Sequence, residues 1–220
     1  MGTPAIKSTL AIFDFDGTLI REDSTLTLLL FLLKKYPGSL FALSRVGIAG
    51  LFWVGGLAQR DQVKSLVIQA LRYVPQPASR EFFQQFHDQS LVPRYLSSGV
   101  QRIEWHRTQG HRLILASASL DLYLHHVAQF LGFDFLICTR TRRNPQLQLA
   151  GPNCRGEEKL VQMSEFLPLE NVDWRNSWAY TDSTSDLPIL SRCGHPVAVN
   201  PDRGLKGYAR RIGWPIMEWA

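Results

Sequence analysis

Residues 10–18 read Leu-Ala-Ile-Phe-Asp-Phe-Asp-Gly-Thr, a short apolar run that ends in two acidic residues. The apolar run is typical of a buried parallel strand, and the polar residues predict a functional loop at its carboxyl end. Because side chains at i and i+2 of a strand face the same way, Asp14 and Asp16 can both point into this loop. Gly17 then allows the chain to turn, and Thr18 offers a hydroxyl and backbone N–H groups to an anion.

The same pattern, an apolar run followed by small polar residues, occurs twice more. Residues 112–116 run into Ser-Ala-Ser at 117–119, and residues 177–180 run into Thr-Asp-Ser-Thr-Ser-Asp at 181–186. Strands that alternate with helices predict an α/β fold with a Rossmann-like parallel sheet flanked by helices. In such sheets ligands bind beyond the carboxyl ends of the strands, where all three polar loops fall. Further strands are predicted at 133–138 and 196–199, and helices at about 121–131, 156–166, 187–191 and 203–212.

Residues 23–99 break this alternation, because they show helix-period apolar residues without a convincing strand. Proline and glycine residues divide the stretch into about four helices. We therefore predict two domains. Residues 1–22 and 100–220 form a discontinuous catalytic core, and residues 23–99 form an all-helical cap inserted after the first core strand. Residues 139–150, with an Asn-Pro pair in the middle, predict a hairpin or projecting loop.

Composition and charge narrow the function classes. The chain has 220 residues, of which 45% are hydrophobic and 20% charged, so it is a packed globular protein rather than a disordered or fibrous one. A net charge of +5 is compatible with nucleic acid, an anionic membrane or phosphorylated metabolites as partners. The three cysteines form no C-x-x-C pair, which argues against a disulfide framework or a zinc site and predicts a reducing, cytoplasmic location.

The acidic residues at the strand ends indicate phosphoryl chemistry. One carboxylate can attack phosphorus, while a second acid protonates the leaving oxygen and later deprotonates water. Asp182 and Asp186 follow another strand and add oxygens to the same edge, although Asp186 could instead be a helix N-cap. Crowded carboxylates repel one another unless a cation is present, and hard oxygen ligands suit Mg²⁺. The sequence therefore predicts a magnesium site.

Two further residues suit phosphate binding. Ser117 ends its strand and can donate a hydrogen bond to a phosphate oxygen, with Ser119 expected to cap the next helix. Lys159, early in a helical pattern, can neutralise phosphate and restrain a nucleophilic carboxylate. Taken alone, Ser117 is more typical of a helix cap, and Lys159 is more typical of a solvated surface residue. Their order along the chain, together with the acidic motifs, is more informative than either residue.

Residues 13–19, the apolar run to Ser117, Lys159 and residues 180–186 resemble the four motifs of the haloacid dehalogenase superfamily. The helical insert resembles that of its phosphoserine phosphatase-like branch, and the likeness extends from residue 13 to the C-terminus. The resemblance implies a Mg²⁺-dependent phosphatase that acts through an aspartyl-phosphate. The implied roles are nucleophile for Asp14, general acid/base for Asp16, phosphate binding for Thr18, Ser117 and Lys159, and Mg²⁺ ligation for Asp14, Asp16, Asp182 and Asp186.

Departures from the family pattern bear on the substrate. The family commonly has Gly before the metal-binding Asp, where this chain has Thr181. Phosphoserine phosphatases tend to hold the substrate ammonium with a Glu at the position of Asp23. They also use an Arg from the insert, where this chain has Lys64 and Arg60 but no clear match. Asp23 and Lys64 are therefore the candidate substrate-binding residues, and the departures argue against phosphoserine as the substrate.

The apolar insert leaves two alternatives open. Its runs at 28–33 and 51–54 either pack the cap against the core or contact the acyl chains of a phosphorylated lipid, with basic residues near a headgroup. The substrate is accordingly a small phosphorylated metabolite or a lipid phosphate, and peripheral membrane contact through the cap is one alternative. Residues 39–57 are interrupted by Ser44 and Arg45, which is more typical of buried or amphipathic helices than of a membrane span.

Two other functions compete with hydrolysis. A phosphotransferase could use the same scaffold to pass the phosphoryl group to another alcohol. A non-catalytic module that binds phosphate or nucleic acid could use the positive charge. Carboxylates gathered at one sheet edge repel phosphates unless Mg²⁺ intervenes, so we expect no nucleic-acid partner. The sequence predicts no particular oligomeric state.

Overall fold

The computed structural model describes residues 7–39, 64–65, 67–75 and 79–220. Its centre is a six-stranded sheet with the order β3-β2-β1-β6-β7-β8, in which every pairing is parallel. The predicted α/β fold with a parallel sheet flanked by helices is therefore confirmed. The strands are β1 (Leu10–Phe13), β2 (Arg112–Leu120), β3 (Phe135–Thr139), β4 (Thr141–Arg143), β5 (Leu147–Leu149), β6 (Trp178–Thr181), β7 (His195–Val199) and β8 (Ile216–Met217).

Helices cover both faces of the sheet and form the described part of the insert. A π-helical turn at His87–Leu91 and a 3-10 turn at Val92–Arg94 follow directly on the helix that ends at Phe86. Residues 67–70 are also helical. The α-helices are α1 (Ser24–Lys35), α2 (Ser79–Phe86), α3 (Ser97–Thr108), α4 (Asp121–Leu131), α5 (Glu157–Ser164), α6 (Leu187–Leu190) and α7 (Arg203–Ile212).

The alternation of side chains along each strand builds two apolar layers. In β1, Phe13 packs with the layer that includes residues of α1, α2 and α4, whereas Leu10 and Ile12 pack with α5, α6 and α7. In β6, Tyr180 joins the first layer and Ala179 the second. Because both faces are covered, β1 is apolar and buried throughout, as its sequence predicted.

The first apolar run of the insert forms an amphipathic helix. Asp23 caps α1 by accepting a hydrogen bond from the backbone N–H of Leu26 at 3.0 Å. Leu28, Leu29 and Leu32 are buried in the core layer, and this favours the packing interpretation for this run. Leu30 on the opposite side is 60% exposed. The run at 51–54, together with Arg45 and Arg60, lies outside the described residues.

Membrane contact receives no support from the described part of the chain. Among the helices in the described ranges, none is both long enough and apolar enough to span a bilayer. Most of the 39–57 stretch lies outside those ranges.

The structure adds detail that the sequence patterns missed. The predicted hairpin forms from β4 and β5, which pair antiparallel. β8 was not predicted, because its two residues depend on pairing with β7 for their strand geometry. Helix α3 begins at Ser97 and so crosses the predicted boundary between cap and core. There Gly99 packs closely against Leu19 and Trp219. The division into core and cap stays a prediction.

Candidate active site

A polar cleft opens at the carboxyl end of the sheet, as expected for parallel α/β proteins. The loops after β1 and β6 and residues 117–119 of β2 form its floor, and residues of α1, α5 and the insert contribute to its walls. The side chains that line it are polar with one exception, an alanine: Asp14, Asp16, Asp23, Thr25, Lys64, Ser117, Ala118, Ser119, Asn153, Arg155, Lys159, Ser183, Ser185 and Asp186.

Lys159 joins two of the predicted acidic residues at the floor of the cleft. Its Nζ donates hydrogen bonds to Oδ1 of Asp14 at 3.0 Å and to Oδ2 of Asp186 at 2.6 Å, and the Lys159 and Asp186 side chains are buried. Gly156 lets the start of α5 lie close to the backbone of Ser185, in the segment that follows β6. Its φ is +60°, and a Cβ there would lie 3.3 Å from the carbonyl oxygen of Ser185. The structure therefore brings three predicted site residues from separate segments into contact.

The charges in this cluster influence one another. Burial raises the pKa of the Asp14 carboxyl group, and the nearby ammonium of Lys159 opposes that shift. Burial alone would lower the pKa of Lys159, but Asp14 and Asp186 outweigh it and hold this pKa above its ordinary value. Lys159 is therefore a permanent cation near neutral pH. When both carboxyl groups are ionised, the cluster carries a net negative charge.

Asp182 lies against the loop that follows β1. A Cβ at Gly17, whose φ is +75°, would lie 2.2 Å from Oδ2 of Asp182, so only glycine allows the two loops to meet this closely. The backbone carbonyl of Asp182 also accepts a hydrogen bond from the N–H of Asp202 at 2.7 Å. The contact with Gly17 puts Asp182 beside the segment that carries Asp14 and Asp16.

Thr181, which stands where the family commonly has Gly, has a role of its own. Its hydroxyl donates a hydrogen bond to Oδ2 of Asp186 at 2.8 Å and accepts one from the N–H of Ser183 at 3.2 Å. Asp186 does not cap the helix that follows it, since its side chain makes no capping hydrogen bond. Thr181 and Lys159 thus both orient the same Asp186 oxygen.

The donor set fits a hard divalent cation. Asp14, Asp182 and Asp186 supply carboxylate oxygens, the ligand type that Mg²⁺ prefers. Oδ1 of Asp186 is buried and has no hydrogen-bond partner among the described residues, so it can accept a ligand. Within the described ranges, no three His, Cys, Asp or Glu side chains lie close enough together to hold a metal ion as they stand.

Asp16 is turned towards the junction between the core and α1. Its Oδ1 accepts a hydrogen bond from the N–H of Ser24 at 2.7 Å, and its Oδ2 accepts one from the hydroxyl of Ser119 at 2.5 Å. Burial, reinforced by the charge of Asp23, raises the pKa of Asp16 to about 7. A carboxyl group with a pKa near neutrality suits the transfer of a proton in both directions.

The expected capping role of Ser119 is wrong. Helix α4 begins at Asp121, its N-cap is Leu120, and no side chain caps it. The hydroxyl of Ser119 instead contacts Asp16, while its N–H donates to Oγ of Ser117 at 3.0 Å. The spacing of the two serines in Ser-Ala-Ser was a usable signal, because residues at i and i+2 of a strand share a side.

The structure does not put the Thr18 side chain in the cleft. Residues 15–18 form a turn in which the N–H of Thr18 donates to the carbonyl of Phe15 at 3.2 Å. The turn leaves the Thr18 side chain fully buried, and its hydroxyl has no hydrogen-bond partner among the described residues. Thr18 is therefore not among the residues that line the cleft, and its role in phosphate binding stays a prediction.

Both candidate substrate-binding residues line the cleft. Asp23 does so from the N-terminus of α1. Lys64 reaches it from the insert and donates a hydrogen bond from Nζ to Oδ1 of Asn153 at 2.6 Å. Asn153 also accepts one from the Thr139 hydroxyl at 2.8 Å. Asn153 and Arg155 were not predicted as lining residues, because a polar loop without a strand pattern carries no signal of its orientation.

Residues 11–191 match the profile of the haloacid dehalogenase-like hydrolases. Because this match spans most of the chain, the protein belongs to that family. The predicted family is confirmed, and so is the assignment of the protein as an enzyme, a phosphatase of the haloacid dehalogenase type.

Similar proteins carry several names. The "Inhibition of morphological differentiation protein" of Streptomyces azureus is 30% identical over 98% of this chain and 80% of its own length. A "Histidinol-phosphatase" of Neisseria meningitidis is 25% identical over 96% of this chain and 98% of its own length. The names of these relatives do not indicate one common substrate.

Solved structures share the fold. A Bordetella pertussis protein of unknown function superposes with a TM-score of 0.74 at 20% identity and covers 96% of this chain and 98% of its own. A phosphoserine phosphatase, crystallised as a phospho-aspartyl intermediate analogue, has a TM-score of 0.64 at 15% identity, with 96% and 93% covered. At these identities the likeness establishes the architecture and leaves the substrate open.

Proposed function

We propose that this protein is a Mg²⁺-dependent phosphomonoester hydrolase that forms a covalent aspartyl-phosphate, an acyl phosphate, on Asp14. The observation that carries the proposal is the buried Lys159 ammonium, which bonds both Asp14 and Asp186 at the carboxyl end of the sheet. A buried cation between two carboxylates is seldom a net gain in stability, so its presence in an open cleft favours a chemical use.

In the first half of the reaction, a carboxylate oxygen of Asp14 attacks phosphorus and the bond to the leaving oxygen breaks. Asp16 gives its proton to that oxygen, so the product leaves as an alcohol. Lys159 holds the nucleophile in place and offsets the charge of the phosphoryl oxygens. Ser117, which lines the cleft, is suited to donate a hydrogen bond to one of those oxygens.

In the second half, Asp16 takes a proton from water, and the resulting hydroxide attacks the phosphorus of the phospho-Asp14. The phosphorus–Asp14 bond breaks, inorganic phosphate leaves and both carboxyl groups return to their starting forms. Asp14, Asp182, Asp186 and the backbone carbonyl of Asp16 are the groups that would hold Mg²⁺. When bound, this ion would offset the negative charge of the carboxylates and of the transferring phosphoryl group.

The lining of the cleft favours a small polar substrate. Asp23, Lys64 and Arg155 give the described walls charges of both signs, and the one apolar side chain of the lining is Ala118. An acyl chain would desolvate these charged groups without compensation. We therefore propose a small phosphorylated metabolite with polar groups near the ester and rank a lipid phosphate below it.

Phosphate release from a set of phosphomonoesters tests this function. The set should span histidinol phosphate, phosphoserine, sugar phosphates, nucleotides and lipid phosphates in detergent, each assayed with Mg²⁺ and with EDTA. We expect Mg²⁺-dependent release of phosphate from small polar esters. The Asp14→Asn variant should lose at least about 10⁴-fold in turnover while its circular dichroism spectrum stays unchanged.

Three results would contradict parts of the proposal. Near wild-type turnover by Asp14→Asn would exclude the covalent route through Asp14, and a preference for lipid phosphates would exclude the small-metabolite class. Transfer of the phosphoryl group to added acceptor alcohols in preference to water would show a phosphotransferase instead.

A further inference from the structure

A chain of buried hydroxyl groups extends from Asp16 into the junction between core and insert. The Ser119 hydroxyl, bonded to Asp16, lies 3.1 Å from Oγ of Ser24, which in turn lies 2.7 Å from the hydroxyl of Tyr123. Thr25 Oγ1 lies 3.3 Å from the same Tyr123 hydroxyl. All four hydroxyl-bearing side chains are buried. The sequence motifs did not predict the hydrogen bonds that join these hydroxyl groups.

The network joins two parts of the fold. Ser24 and Thr25 begin α1, the first helix after the loop that carries Asp16, whereas Ser119 is the last residue but one of β2 and Tyr123 lies in α4. The Tyr123 ring is fully buried and makes an edge contact with Phe86, at 5.3 Å between ring centroids. Asp16 is therefore held at a rigid contact rather than by a mobile surface side chain.

The two groups that bond Asp16 differ in what they can do. The N–H of Ser24 can only donate a hydrogen bond, so it favours the carboxylate form. The Ser119 hydroxyl can donate to Oδ2 of Asp16 both when Asp16 is a carboxylate and when Asp16 carries its proton on Oδ1, where that proton is not bonded to Ser119. The Ser24 and Tyr123 hydroxyls can orient so that Ser119 keeps this donor role in both cases. A network made of hydroxyls can thus hold Asp16 in one orientation in both forms.

We propose that Ser119, supported by Ser24 and Tyr123, is the positioning residue for proton transfer by Asp16. This inference rests on the proposed function, in which Asp16 is an acid in one half-reaction and a base in the other. In the first half, the O–H bond of Asp16 breaks and a new O–H bond forms on the leaving alcohol. The Ser119 network keeps the carboxyl group in position for that transfer and does not itself exchange a proton with the substrate.

The dependence of the rate on the leaving group separates positioning from a general structural role. An aryl phosphate with an acidic phenol can expel its leaving group as an anion, whereas an alkyl phosphate needs a proton from Asp16. The ratio kcat/KM reports the steps up to release of the alcohol. It should therefore be measured for 4-nitrophenyl phosphate, for phenyl phosphate and for the best alkyl phosphate of the substrate screen.

We expect Ser119→Ala to lower kcat/KM about tenfold or more for the alkyl ester and less than about twofold for 4-nitrophenyl phosphate. Ser119→Thr, which keeps a hydroxyl, should restore most of the lost activity. Tyr123→Phe leaves the hydrogen bond between Ser119 and Asp16 intact. It should also lower kcat/KM more for the alkyl ester than for the aryl ester, but by a smaller factor than Ser119→Ala. Because Tyr123→Phe removes one oxygen at a different position, it also provides the test if Ser119→Ala fails to fold.

Ser177→Ala is a matched control. Ser177 is also fully buried, and its Oγ accepts a hydrogen bond from the N–H of Leu10 at 3.0 Å and donates one to the carbonyl of Asp173 at 2.6 Å, away from the cleft. Its loss should lower stability without changing kcat/KM for one class of ester relative to the other.

Two results would overturn the proposal for Ser119. One is an equal loss for alkyl and aryl esters, which would indicate a structural role, and the other is no loss for either. Failure of the proposed function is distinguishable, because the wild-type protein would then release phosphate from neither class of ester.

Discussion

Buried polar groups are charged at one end of the parallel sheet and neutral at the other. At the carboxyl end, Lys159 is buried as an ion between Asp14 and Asp186. At the amino end, buried His106 bonds through Nε2 to the Tyr180 hydroxyl at 2.9 Å and through Nδ1 to Nδ1 of His111 at 2.7 Å. Burial, with His111 adding to it, lowers the pKa of His106 to about 3, so this ring is neutral.

This contrast separates groups kept for chemistry from groups kept for structure. A buried ion pair pays a large desolvation penalty and is often no more stable than an apolar substitute. A neutral hydrogen-bonded group inside a layer of aromatic rings, such as His106 beside Phe13 and Trp178, adds modest stability and directional order. Substitutions at the two ends should therefore affect different measurements.

The largest effect is expected at the charged end. Lys159→Met leaves two buried carboxylates without their cation, so we expect kcat/KM to fall at least about 10²-fold. The free energy of unfolding should also fall, by about 3 kcal/mol. Steady-state kinetics and urea unfolding monitor the two changes. Lys206→Met, outside the cleft on α7, is the control that should change neither.

Wild-type activity in Lys159→Met would contradict the difference between the two ends, because Lys159 would then have only a structural role, as His106 does. Lost stability with intact kinetics would lead to the same conclusion.

A smaller effect is expected when the neutral end is acidified. The unfolded chain binds a proton at His106 below its ordinary pKa of 6.5, whereas the folded protein does not until about pH 3. Stability is therefore lost as the pH falls through 6.5, by about 2 kcal/mol between pH 6.5 and 5. Urea unfolding of the wild type and His106→Gln at both pH values measures this. Identical pH slopes would show that His106 is not the group responsible.

The smallest effect is expected from Tyr180→Phe. It removes the hydroxyl partner of His106 and should lower the free energy of unfolding by about 1–2 kcal/mol without changing turnover. Tyr208→Phe, on a partly exposed ring of α7, should change neither quantity and serves as the reference. A clear loss of turnover in Tyr180→Phe would mean that the two ends of the sheet are coupled, which would contradict the division drawn above.

Much of the sheet could be predicted because its signals are local. The apolar runs that became β1, β2 and β6 are buried on both faces, so each is continuous in the sequence. The polar loops after them could be assigned to one edge, since parallel strands end on the same side. Lys159 lies on a helix, where its charge alone was a weak signal, and its order along the chain and the resemblance to a family were needed to link it to the acidic motifs.

The rest of the site depends on side-chain direction, which local patterns do not carry. Ser119 looks like a helix cap in the sequence, because small polar residues before a helix serve both purposes. Thr18 turns inward because of the turn at residues 15–18, which depends on contacts with the core. Thr181 could be recognised as a departure from the family, but only the structure shows its bond to Asp186.

The central position of β1 bears on the order in which the protein folds. Leu10 pairs with Arg112 on one side, and Ala11 pairs with Trp178 on the other. The strand that directly precedes Asp14 therefore cannot complete its hydrogen bonds until most of the chain has been synthesised. Contacts of such long sequence separation slow folding and prolong the exposure of apolar strands. The helices that follow β1 can form earlier, because their hydrogen bonds are local.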